Sequence, residues 1–169
     1  MKTAGVILAV AAALALQTTL ARFVIRGTVA VDLVLIVVVY VALTSGPVTG
    51  LLTGTVSGLV QDALSSGVIG IGGLAKTIVG FLAGIVGTQF IVTQPLPRFV
   101  VFFGATVLHA VVFIGLYALL DLRHFGTPVA AVTGQALANA VAGVVAFQLV
   151  ELLPGVVERR RLQKNRIRR

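Results

Sequence analysis

Two histidines, five acids and no cysteine are the whole stock from which this 169-residue chain could build acid–base, nucleophilic or metal chemistry. Without cysteine there is no disulfide framework, thiol nucleophile or cysteine-based metal site. Two histidines among scattered acids make a poor metal site, and no His-Glu-x-x-His occurs. Thr55-Val56-Ser57-Gly58 lacks the glycine that a nucleophile elbow carries two residues before its serine. The glycines around it have no Gly-Lys-Ser/Thr ending, so they do not form a phosphate loop. Neither catalysis nor a cofactor nor a metal is expected.

What remains are polar residues set inside apolar stretches, where they are expensive and invite a functional question. A hairpin centred near Ile69 puts Asp62 seven residues before the centre and Lys76 seven after it. The two are expected to pair or to share one polar network toward the outer side, with Gln61 beside Asp62; the alternative is that each reaches the outer interface independently. A second hairpin centred near His124 puts His109 and Asn139 each fifteen residues away. An imidazole and an amide at one depth suggest an interhelical hydrogen bond, worth about 0.6 to 2 kcal/mol in lipid. His109 is the only ionisable group at that depth, which favours packing glue over a proton relay.

The elements that position these groups follow from composition. The chain is 58% hydrophobic and 11% charged, against about a quarter charged in soluble domains, and its mean hydropathy is +1.10. The expected fold is an all-α polytopic membrane protein, six transmembrane helices in one bundle over residues 1–157. The spans fall at about 4–21, 31–45, 47–64, 74–92, 99–120 and 128–153, each near the length a bilayer requires. Lys2, the apolar run and Ala13-Leu14-Ala15 imitate a signal peptide, but the run continues past the would-be cleavage site. Residues 158–169 form a basic tail containing Arg159, Arg160, Arg161, Lys164, Arg166, Arg168 and Arg169. Leaving a membrane helix directly, it faces anionic lipid headgroups, at about 1 kcal/mol per basic residue, or an acidic cytoplasmic partner; nucleic acid is not expected. Six spans put nine basic residues on the side of the termini and three on the other, so both termini are expected in the cytoplasm.

The third span carries the clearest pattern. Glycines recur at Gly46, Gly50, Gly54 and Gly58, with Thr49, Thr53, Ser57 and Gln61 as a ladder beside them. Residues four apart share a helix face, so one side has almost no side-chain bulk. Within lipid this is the pattern of close helix association, either inside the bundle or toward another chain. The fourth span repeats it with Gly80 and Gly84.

The run Asp32-Leu-Val-Leu35, Tyr40-x-Ala-Leu43 and Gly46-Pro47-x-x-Gly50-x-x-x-Gly54-x-x-x-Gly58-Leu59-x-Gln61-Asp62 resembles the MreD family of rod shape-determining membrane proteins. The likeness continues through Gly70-Ile-Gly-Gly-Leu-Ala-Lys76-Thr77 and Gly80-Phe-Leu-Ala-Gly84. Val31, where the family often has proline, and Thr55, where an aromatic is common, depart from it. The resemblance implies a scaffold of the bacterial inner membrane within the elongasome, which builds lateral peptidoglycan. It would bind MreC, help organise RodA and penicillin-binding protein 2, and have MreB as a cytoplasmic neighbour. Whether two copies associate is left open. The alternative is a substrate-binding S-component of an energy-coupling-factor vitamin transporter. That family has the same number of helices, and Ala9-xxx-Ala13 and Ala11-xxx-Ala15 suit its docking face. Such a carrier needs a polar pocket near the outer side, while this chain has no tryptophan and two tyrosines.

Overall fold

A computed structural model describes residues 3–23, 31–65, 68–90, 92, 94–122 and 129–166. Among them are six helices: α1 (Thr3–Phe23), α2 (Leu33–Ser45), α3 (Pro47–Leu64), α4 (Ile71–Gln89), α5 (Pro95–Leu119) and α6 (Val129–Arg166). By length and composition α4, α5 and residues 129–152 of α6 can cross a membrane, while Ala4–Thr19 and α2 are shorter apolar helices. Rich in glycine, threonine and serine, α3 is long enough but less apolar.

Three boundaries differ from the sequence expectation, each for a local reason. Proline at positions 95 and 97 suits the first turn of a helix, where no N–H bond is lost, so α5 begins at Pro95. Gly70 takes a left-handed conformation (φ 107°) that lets the chain turn directly into α4 at Ile71. At the other end α6 runs on through Pro154 to Arg166, so residues 158–166 of the stretch read as a tail continue its helix.

At the centre lies α2, apolar on every side, with Val34, Leu35, Val38, Val39, Val41 and Ala42 all buried. Around it α3 and α4 form one antiparallel pair and α5 and α6 another. In the first pair, an added Cβ at Gly50 would strike the Gly80 carbonyl, at Gly54 the Lys76 carbonyl, at Gly58 Gly73 Cα, and at Gly84 Pro47. The glycine faces of α3 and α4 therefore meet each other, backbone to backbone. Gly46 differs from them, although its backbone also borders Gly84. It is the hinge between α2 and α3, at φ 88° with nothing within 4 Å of an added Cβ, so its place in the ladder is a backbone requirement and not a packing one.

The second pair is keyed by Phe102, whose ring fills the space over Gly143. At the end of the bundle where α5 starts, the buried Arg98 grips Glu151 of α6 through both terminal nitrogens, at 2.8 and 2.6 Å. Its Nε donates to the Val92 carbonyl at 3.2 Å, and its guanidinium lies 3.9 Å over the Phe147 ring. Tyr40 of α2 meets the same ring edge-on at 4.8 Å. This clamp ties α2, α5 and α6 at one end.

Candidate functional site: a buried polar network

The thirteen residues of α2 rise only about 20 Å, against a hydrocarbon thickness of about 30 Å. Its first turn consequently lies among the other helices, at the depth of Lys76 and Asn139. Helix N-termini present unpaired N–H groups that lipid cannot satisfy. Asp32 answers part of this: as N-cap its Oδ1 accepts from the Leu35 N–H at 2.9 Å. The Val34 N–H donates to Gln17 Oε1 of α1 at 3.2 Å, and the Asp32 N–H donates to Asn139 Oδ1 of α6 at 2.9 Å.

The second carboxylate oxygen of Asp32 receives Lys76 Nζ at 2.9 Å, with both side chains almost wholly enclosed. Lys76 Nζ also lies 3.2 Å from His109 Nε2 of α5. An ammonium group only donates, so Nε2 is the acceptor and the ring proton sits on Nδ1. Asn139 completes its pairing by donating to Thr106 Oγ1 at 3.1 Å, and Thr106 donates back to the Phe102 carbonyl at 2.9 Å. Five helices thus contribute side chains, and α3 reaches the site through Gly54 against the Lys76 backbone. A buried pair of opposite charges is tolerable only when the remaining lone pairs and protons find partners, as they do here.

The expected pairing of Asp62 with Lys76 is replaced. Asp62 Oδ2 accepts the N–H groups of Gly70 and Gly73 at 2.9 and 3.0 Å, capping the start of α4, while Lys76 binds Asp32. The cause is register: Gly54 facing Lys76 and Gly58 facing Gly73 centre the hairpin near residue 65, about one turn from Ile69. Asp62 is level with the N-terminus of α4, where a carboxylate is favoured by the unpaired N–H groups. Likewise His109 and Asn139 are not bonded to each other. Asn139 faces Thr106, so His109 sits nearly a turn away and reaches Lys76 instead. Gln61 joins neither group, and its Oε1 is buried without a partner.

Sequence reasoning missed Asp32 as the pivot, along with Thr106 and Gln17. An acid immediately before an apolar helix is an N-cap signal, and it was available at Asp32. Replacing Asp62 with alanine should cost about 1 to 2 kcal/mol, the usual loss of a helix cap. Faster hydrogen exchange at the Gly70 and Gly73 amides, with Lys76 undisturbed, is the measurement that checks it.

Nothing in this network is poised to turn over a substrate, because each charged group is engaged by the chain itself. Comparison with known proteins gives its context. The chain matches the family model of the rod shape-determining protein MreD over residues 2–155. It belongs to the MreD family. No curated protein and no solved structure matches it. As an MreD-family chain it is a non-enzymatic, shape-determining membrane protein of the bacterial inner membrane. Of the basic residues after the last span, Arg159, Arg160, Arg161, Lys164 and Arg166 lie on the helical continuation of α6. Arg168 and Arg169 lie outside the described residues.

Proposed function

We propose that this MreD-family chain is a membrane scaffold of the elongasome, binding MreC and through it helping to organise RodA and penicillin-binding protein 2. The observation that carries this reading is the use made of the intramembrane polar groups. Asp32, Lys76, His109 and Asn139 bind one another across α2, α4, α5 and α6, which suits a rigid platform better than a carrier that must open. Residues 1–157 form the platform with both termini in the cytoplasm, and 158–169 carry basic residues toward anionic lipid or MreB. The bundle could share the energy-coupling-factor S-component fold without sharing its function. The vitamin-carrier reading gains no support from the groove between α1 and α3. That groove opens sideways, at the end where both helices begin, and its lining is mostly apolar.

The test is depletion in a rod-shaped bacterium together with pull-down of tagged MreC from its membranes. Rods should round into spheres, and the chain should be recovered with MreC. Rods that keep their outline while losing uptake of a vitamin would refute the scaffold.

A further inference from the structure

Past the apolar part of the bundle α6 does not stop, and a depth marker inside the fold says how far it goes. Arg98, in the first turn of α5, holds Glu151 through both terminal nitrogens and the Val92 carbonyl through Nε. Glu151 is therefore level with the turn between α4 and α5, at the end of the bundle. The apolar part of α6, Val129–Leu152, has 24 residues and rises about 36 Å, against roughly 30 Å of hydrocarbon. That leaves the charged Glu151 at headgroup level, and the headgroups themselves add about 5 to 8 Å on each side. From Glu151 the same helix continues to Arg166, with Arg159 about 12 Å and Arg166 about 22 Å further along the axis. A kink at Pro154 would tilt this continuation without laying it down. Lying flat on the lipid needs a right-angle break, and α6 is unbroken.

Composition points the same way. A helix that lies in the membrane surface buries an apolar face, and residues 158–166 hold one apolar residue, Leu162. Arg159, Arg160 and Arg161 are consecutive, so at about 100° per residue they occupy three different sides of the helix. Arg160 and Lys164 stand four apart and repel each other, while Glu158 is the only acid in the stretch. Attraction to anionic lipid fades within about 8 Å at physiological salt, so the helix at Lys164 and Arg166 stands out of its reach.

We propose that residues 158–166 are a docking rod for the acidic surface of a cytoplasmic protein, held clear of the headgroups by the length of α6. The proposal rests on the scaffold reading, which puts this end of the chain in the cytoplasm, and it selects a protein over lipid as the partner of the basic residues. Height and the missing apolar face carry that choice. An acidic partner also relieves the repulsion along the helix, so docking and helix stability rise together.

The chain has no cysteine, so a single Gln163→Cys change gives one site for a spin label. The full chain is placed in nanodiscs of phosphatidylcholine, with and without phosphatidylglycerol. The label at position 163 should be open to a water-soluble relaxation agent in both, whereas a label at the exposed Leu152 should report lipid in both. MreB, the cytoplasmic neighbour in the scaffold reading, is the protein probe. It should bind the chain in phosphatidylcholine nanodiscs and bind less well as salt is raised. Glutamine at Arg159, Arg160, Arg161, Lys164 and Arg166 should weaken binding by about tenfold or more. Gln163→Pro keeps every charge but interrupts the helix, and should also bind MreB less well than the parent. A label at 163 that enters the headgroup layer when phosphatidylglycerol is added makes the segment a lipid anchor and overturns the rod. Parent-like binding by the glutamine variant, parent-like binding by Gln163→Pro, or no binding of MreB to the unaltered chain overturns it too. The scaffold reading is judged separately, by recovery of MreC with the same unaltered chain.

Discussion

Leucine at Gly54 should leave almost no folded protein. Even the single carbon of an alanine there would lie 2.7 Å from the Lys76 carbonyl carbon and collide with its oxygen. Backbone cannot swing aside as a side-chain tip can, so α3 and α4 would have to separate along their shared face. One extra methylene in a packed interior typically costs about 1 to 3 kcal/mol, and Gly54→Ala should fall at the top of that range. Gly54→Leu adds three more carbons against a total stability of only about 5 to 15 kcal/mol. The comparison that isolates packing from helix propensity lies within the same protein. Gly104 and Gly115 have nothing within 4 Å of an added Cβ. Alanine there should be neutral or stabilising by up to about 1 kcal/mol, since alanine is the better helix former. Thermal melts of the four variants in detergent decide it. Coincident melting of Gly54→Ala and Gly104→Ala would mean that the two backbones do not touch as described.

Lys76→Met should be the most harmful change in the polar network, at about 3 to 5 kcal/mol, because it strands the enclosed Asp32 carboxylate. The double variants separate an ion pair from a capped helix start. Asp32→Asn with Lys76→Met removes both charges while keeping a side chain able to cap α2, and should regain most of the lost stability. The exchange Asp32→Lys with Lys76→Asp keeps the charges but puts a donor where the Leu35 N–H needs an acceptor. It should be no better than the worse single variant. Melting temperature and yield from membranes read out these variants, the two single variants of the exchange and the parent. Full rescue by the exchange would show that attraction between the charges is all that matters at this site.

The spacing of Gly50, Gly54 and Gly58 was legible as a surface for close helix approach, because periodicity is a local property. What meets that surface was not legible: α3 and α4 are neighbours in the chain, but only the turn between them fixes which residues oppose. A single left-handed glycine at Gly70 shifted the register by about a turn, and with it the partner of Lys76. Asp32 and Asn139 are 107 residues apart, and no spacing argument links two residues across three other helices. The pairing of Thr106 with Asn139 lay closer to reach, since both flank one hairpin. A centre between Leu122 and Arg123, one to two residues before His124, would have exposed it. Arg98 and Glu151 were hidden for another reason: a basic residue after a proline break reads as a topological marker, and only the fold reveals that it is buried.

The shortness of α2 bears on how the chain is made. As its residues leave the ribosome, the thirteen-residue segment is too brief to anchor itself across lipid, and its first amides have nothing to bond. Lys76 is synthesised only with α4, and Asn139 only with α6. The partners of the central helix's first turn are therefore complete only once both α4 and α6 have been made.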